Sequence, residues 1–215
     1  MQIESNGILI NIKPFSERDA IAHIFTKNSG VLTGMLRGAV VARKNKPLIG
    51  QIGHVIWNAR LDSQLGVFHF ENEKNLSAPL ILNNDLLKIM NATFSLIYAL
   101  IPERESYEQL YLRTIDLLSN LPDTNNPYNL YLQWEIDLLK DLGYALDLTK
   151  CSGCGRTDDL CYLSPKTGRA VCENCGVPYV DKLYKLPINL NVTKRFINNI
   201  CAIQGIDVPS ARKMF

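Results

Sequence analysis

Apolar positions between residues 6 and 72 come in short runs, several of them alternating with polar residues. The runs predict five strands: Gly7–Ile12, Ala20–Thr26, Val31–Arg37, Gly53–Leu61 and Leu65–Glu71. In the fourth, Val55, Trp57, Ala59 and Leu61 alternate with His54, Asn58 and Arg60. Turn residues separate the runs at Lys13-Pro14, Asn28-Ser29-Gly30, Lys46-Pro47 with Gly50, and Asp62-Ser63. So many short strands in one stretch favour a closed barrel, because closure removes exposed edges. A five-stranded oligonucleotide-binding (OB) barrel fits the count. An SH3-like barrel fits the periodicity nearly as well.

From Asn83 the period changes to that of helices. Leu86, Leu87, Met90, Phe94, Ile97 and Ile101 form one stripe, ended by Pro102. Tyr107, Leu110, Tyr111, Ile115 and Leu118 form a second, and Tyr131, Trp134, Leu138 and Leu142 a third, with Gly143 placed as a C-cap. Leu121 to Pro127 reads as a loop, and Asn191 as the cap of a further helix through Phe196, Ile197 and Ile200. The stripes read as helix-bundle core. The expected fold is therefore α+β: a domain of residues 1–78 forming the barrel, then a helical domain, 79–215, with a metal module at 151–176 inserted in it.

Charge changes this picture more than composition does. The 215 residues carry a net charge of only +2. By thirds, Lys/Arg against Asp/Glu runs nine to six over 1–75, five to ten over 76–150 and nine to five over 151–215. Ala20–Leu61 holds six Lys/Arg and no carboxylate, a segment that projects a positive field suited to a polyanion. No apolar run reaches the roughly 20 residues of a membrane helix. No basic, then apolar, leader opens the chain. A cytoplasmic location is the expectation, and the six cysteines then read as thiols or metal ligands.

Four of them have metal spacing. Cys151-x2-Cys154 and Cys172-x2-Cys175 are separated by seventeen residues, within the pattern of tetrahedral zinc sites. Gly153, Gly155 and Gly176 allow tight turns, and Pro165-Lys166-Thr167-Gly168 reads as the hairpin that returns the second pair to the first. Four thiolates fill the shell of a zinc ion, so the site is structural and leaves no position for water or substrate. An iron–sulfur cluster and a redox dithiol are the competing readings. Cys161 and Cys201 lie off the pattern and read as small buried residues.

No catalytic constellation is visible. His69-Phe70-Glu71 matches half of a zinc-deaminase signature, but the residue before Cys172 is Val171 rather than proline. His23 and His54 have no partner at a recognisable spacing, and no phosphate-cradling glycine loop occurs. The protein is expected not to be an enzyme.

The run Leu36-Arg37-Gly38-Ala39-Val40-Val41-Ala42-Arg43-Lys44-Asn45-Lys46 leaves a strand and becomes a basic loop. In an OB barrel such loops flank the groove for nucleic acid. Phe25, Trp57, Phe68 and Phe70 are core candidates that also have faces suited to base stacking.

The chain as a whole resembles the RecO family of bacterial recombination mediators. Gly7-Ile8-Leu9-Ile10 with Pro14-Phe15-Ser16-Glu17-Arg18-Asp19 is similar to that family's first strand pair. Thr26-Lys27-Asn28-Ser29-Gly30 with Gly34-Met35-Leu36-Arg37-Gly38-Ala39 is similar to its third-strand signature, and Leu65-Gly66 fits before the fifth strand. Asp158-Asp159-Leu160, Leu163-Ser164-Pro165-Lys166-Thr167-Gly168 and the second cysteine pair resemble its metal module, and Ser210-Ala211-Arg212 its closing motif.

The resemblance implies an OB fold with a zinc-bearing helical domain, binding of single- and double-stranded DNA, and annealing of complementary strands. It implies partnership with RecR and with the C-terminal tail of single-stranded DNA-binding protein. Together these load RecA, an indirect partner, in gap and double-strand-break repair. By match of position, Arg37, Arg43, Lys44 and Lys46 are the expected DNA contacts. Apart from that match, a basic helical surface near Lys194, Arg195, Arg212 or Lys213 is the expected docking region for the acidic tail. The expected location is the cytoplasm, on the nucleoid. A zinc-containing adaptor that binds only proteins is the alternative, and a zinc enzyme acting on nucleic acid a third reading.

Overall fold

The computed structural model describes residues 1–44, 46–61 and 64–215. Its residues fall into two compact units, Met1–Pro127 with Pro209–Met214, and Tyr128–Val208 with Phe215. Asn45 of the basic run and the expected turn at Asp62-Ser63 lie outside the described residues.

The first unit is built on five strands, β1 (Gln2–Pro14), β2 (Ala20–Thr26), β3 (Gly30–Leu36), β4 (Gln51–Asn58) and β5 (Gly66–Asn75). They close into a barrel in the order β1-β2-β3-β5-β4, with β4 pairing back onto β1. All pairs are antiparallel except β3 with β5, which run parallel from Gly34 opposite Gly66 to Leu36 opposite Phe68. This is an OB-like barrel. β1 closes it by serving two neighbours, with a register irregularity between Leu9 and Asn11 that bends the strand.

Leu9, Ile24, Leu32, Val55, Trp57 and Phe68 fill the barrel. Gly66 makes room for the Trp57 ring: a Cβ there would stand 2.1 Å from the indole. β2 is nearly buried throughout, because helices cover its outer face as well; Phe25 meets Tyr111 edge-on at 5.7 Å. Burial on both faces produces the continuous apolar run.

Two helices follow, α1 (Asn84–Leu100) and α2 (Glu108–Asn120). Asn83 caps α1 by accepting from the Asp85 and Leu86 amides. The connection between the helices lies on the barrel: the Arg104 N–H donates to the Val31 carbonyl, Thr33 Oγ1 donates to the Glu103 carboxylate, and the Arg104 guanidinium covers the Trp57 ring at 4.9 Å.

In the second unit, α3 (Pro127–Asp141) precedes β6 (Leu160–Leu163), β7 (Ala170–Cys172), the short α4 (Glu173–Gly176), β8 (Tyr184–Lys185) and α5 (Leu190–Gln204); α6 (Ser210–Lys213) returns to α1 in the first unit. The small sheet has the order β7-β6-β8. Gly143 ends α3 with φ +87 and donates to the Lys140 carbonyl, as a C-cap should. The expected hairpin at Pro165–Gly168 joins β6 to β7.

Several expectations need correction. β1 runs through Lys13-Pro14, and the turn is Phe15–Asp19, where the Ser16 hydroxyl accepts the Arg18 and Asp19 amides. β1 also begins at Gln2 and β5 ends at Asn75, because backbone pairing continues where the apolar pattern stops. β4 stops at Asn58, so Leu61 is exposed rather than an inward member of the strand. The cap of α5 is Asn189, whose side chain accepts from the Asn191 and Val192 amides; Asn191 is already inside the helix. Cys161 is half-exposed, whereas Cys201 is buried as expected and burial pushes its thiol up.

Candidate metal centre and nucleic-acid surface

The four spaced cysteines converge. Their sulfurs all lie within 4.8 Å of one another, and Cys154 Sγ is 3.7 Å from Cys172 Sγ. Four sulfurs at about 2.3 Å from one zinc ion have edges of about 3.8 Å, whereas a disulfide brings them to about 2.05 Å. The donor set therefore fits a tetrahedral ion and does not describe disulfides. Two local devices bring the pairs together. The Gly155 N–H donates to the Cys151 carbonyl at 2.9 Å, curling the first pair around one point. The second pair spans the step from β7 into α4, so Cys172 ends a strand and Cys175 lies one turn later.

The electrostatics differ from one sulfur to the next. Cys151 Sγ accepts the Cys172 and Gly153 amides, both at 3.3 Å, and the Cys172 contact leads in lowering this thiol to about 6. The Arg156 amide lowers Cys154, while the Arg156 guanidinium lies against the same sulfur and is itself raised by it. Cys175 shares hydrogen bonds with Cys172, Cys154 and Cys151 and is pushed up to about 12. Four clustered thiols resist becoming four thiolates together, and a bound cation removes that resistance. Cys151 and Cys172 are buried, Cys175 is half-buried and Cys154 is exposed, with Leu160, Tyr162, Val171 and Leu183 around them.

The basic residues lie elsewhere, on the connection between β3 and β4. Arg37, Arg43, Lys44 and Lys46 are all exposed, and none forms an ion pair among the described residues. Lys27, from the same acid-free segment, is different: it meets Glu108 at 3.4 Å. The start of the basic connection is tied to the β1–β2 turn. Asp19 Oδ1 accepts the Gly38 N–H at 2.8 Å, and the Arg18 carbonyl accepts the Val40 N–H at 3.0 Å. Gly38 has φ +68, a conformation that glycine adopts without strain.

Most of the aromatic residues read as core candidates are core and present no face for stacking. Phe25 and Trp57 are fully buried, Phe68 nearly so, and Phe70 is partly buried against the core. Phe15 is an exposed aromatic, 63% exposed in the turn that holds Gly38. Its sequence signal is its place in the Pro14–Asp19 motif at a turn rather than an apolar pattern. His69 lies on β5, bound to Glu71 at 3.0 Å, and takes no part in the cysteine cluster. Of the residues expected near a docking tail, Lys194 donates to the Phe215 carbonyl, Arg195 covers the Tyr184 ring at 4.8 Å, and Arg212 is fully buried. No described helix is long and apolar enough to cross a membrane.

Two family models match the chain: Recombination protein O N terminal over residues 1–71, and Recombination protein O C terminal over residues 85–213. A DNA repair protein RecO of Rickettsia bellii is 39% identical over 190 residues, covering 87% of this chain and 77% of the relative. One of Ruegeria is 36% identical over 190 residues, covering 87% and 78%. One of Sinorhizobium medicae is 31% identical over 234 residues, covering 100% and 93%.

Proposed function

The chain belongs to the RecO family of DNA repair proteins, and on that premise we propose that it is a recombination mediator that binds single- and double-stranded DNA and anneals complementary strands. With RecR, and through the tail of single-stranded DNA-binding protein, it helps load RecA onto coated single strands. It works in the cytoplasm, on the nucleoid. Residues 1–78 are the DNA-binding domain, and the rest carries the metal module and the partner surfaces. The observation that carries this reading is the set of exposed cations Arg37, Arg43, Lys44 and Lys46, without carboxylate partners among the described residues, on a connection pinned to the barrel by Asp19. Cations on such a loop neutralise phosphates without reading sequence, as a mediator acting on any gap requires. Phe15 supplies a face on which a base can stack.

Cys151, Cys154, Cys172 and Cys175 hold zinc, and the ion's work is structural. It crosslinks the loop before β6 to the end of β7, where few apolar side chains are available. A shell filled by thiolates offers no open position, so we assign the protein no metal-dependent catalysis.

The test is annealing of two complementary oligonucleotides, each coated with single-stranded DNA-binding protein. The purified chain should accelerate duplex formation over the uncatalysed rate, and added salt should abolish the effect. Absence of both annealing and oligonucleotide binding at low salt contradicts the reading and favours an adaptor that binds only proteins.

A further inference from the structure

The metal module carries a basic cavity that the proposed function does not use. The segment after α3 returns beside β7: the Asp147 N–H donates to the Gly168 carbonyl at 2.8 Å, the Ala170 N–H to the Asp147 carbonyl at 2.8 Å, and the Ser152 N–H to the Ala170 carbonyl at 2.9 Å. Between these segments lies a cavity of about 400 Å³ lined by Asp147, Lys150, Cys151, Ser152, Gly155 and Arg169. Lys150 and Arg169 are both exposed, and neither forms an ion pair or side-chain hydrogen bond among the described residues. The one acid of the lining, Asp147, accepts the Thr149 hydroxyl at 2.6 Å and the Thr149 N–H at 3.0 Å through its Oδ1, and these bonds, with the nearby charges of Arg169 and Lys150, hold its carboxyl below the usual carboxylate range.

We propose that this cavity is a second phosphate site for nucleic acid, in which Lys150 and Arg169 hold a phosphodiester and the Ser152 hydroxyl adds a hydrogen bond. It rests on the reading of the protein as a DNA-binding mediator and extends it to the second unit. The guanidinium of Arg169 presents a planar fork that suits two phosphate oxygens, and Lys150 adds a point charge. An acidic peptide needs an apolar pocket for its anchoring side chain, and this lining has no aliphatic or aromatic side chain. Balancing the sulfur charges is the work of Arg156, which lies against Cys154 and is not among the lining residues. A phosphate site in each unit gives one chain the means to hold two strands at once, which annealing requires.

The test compares the wild-type chain, the Lys150→Ala/Arg169→Ala double variant and Ser152→Glu, each assayed for zinc per chain and for binding of a fluorescent oligothymidylate across a salt series. The double variant should keep its zinc, bind about tenfold more weakly, and show a log–log salt slope shallower by about 1. Ser152→Glu leaves both cations in place and adds a negative charge, so it should weaken binding with zinc retained. Should the double variant lose its zinc, Ser152→Glu decides the matter. Wild-type affinity and salt slope in a zinc-loaded variant overturn this site and leave the barrel reading intact. Failure of the wild-type chain to bind the oligonucleotide overturns both.

Discussion

Asp19 holds Gly38: its Oδ1 accepts the Gly38 backbone N–H at 2.8 Å, joining the β1–β2 turn to the start of the basic connection beside Arg37. This bond puts an acid next to a surface proposed to attract phosphates. Asp19→Ala therefore separates positioning from simple charge. Loss of a charge-assisted hydrogen bond should lower stability by about 1–3 kcal/mol, read as a fall in the urea midpoint. If charge alone mattered, removing the acid would strengthen DNA binding. The expected result is weaker binding, most visible in salt high enough to screen the added net charge.

Phe15 gives a second prediction. It is 63% exposed, so Phe15→Ala should leave the melting temperature nearly unchanged. Binding of single-stranded oligonucleotide should weaken by about 1–3 kcal/mol, the usual worth of one stacked base, while duplex binding changes far less. Equal effects on both substrates would remove Phe15 from the proposed surface.

The proposed zinc site predicts a division of stability. Chelation, or Cys175→Ser, should loosen the module around β6, β7 and α4, because the sulfurs crosslink segments that share few apolar contacts. The barrel has its own core of Leu9, Ile24, Leu32, Val55, Trp57 and Phe68 and should stay folded. Hydrogen exchange resolved by peptide checks this: protection should fall within residues 147–186 and persist in β1 to β5. Loss of protection in the barrel would mean that the metal supports the whole chain.

Tyr111 sets an alkaline limit on the first unit. Burial, helped by the charge of Glu73, raises its hydroxyl to about 12. An exposed tyrosine in the unfolded chain titrates near 10. The fold thus favours the neutral phenol, and this contribution is fully present below about pH 10 and lost as the pH rises toward 12. Tyr111→Phe should flatten the decline in melting temperature over that window. An unchanged alkaline slope would mean that Tyr111 does not carry it.

Features fixed by local chemistry were legible in the sequence. The cysteine spacing predicts that the four sulfurs converge, and they lie within 4.8 Å of one another. β2 has the bounds its apolar run predicts, because both its faces are buried. Legibility failed where pairing or burial depends on distant chain. Gln2–Asn6 of β1 is held by its ladder with β4, which leaves no apolar signature. Phe25 is core as its sequence suggests, but its edge-on partner Tyr111 lies far along the chain and leaves no local signature. Asn189 and Asn191 are equally good caps by composition, and only the backbone geometry selects Asn189. The Asp19–Gly38 bond spans nineteen residues and follows from the β2–β3 register, which brings Ala20 opposite Leu36.

The central claim is that the exposed cations of the β3–β4 connection bind DNA through its phosphates. Its most direct measurement is the salt dependence of single-stranded oligonucleotide binding by wild type and by a variant with Arg37, Arg43, Lys44 and Lys46 all changed to Ala. These residues make no ion pair among the described residues, so the variant should fold normally. Each lost phosphate contact removes about 0.7 from the log–log slope, so up to about 3 should disappear along with most of the low-salt affinity. An unchanged slope and affinity in the folded variant would contradict the claim and place DNA binding elsewhere on the chain.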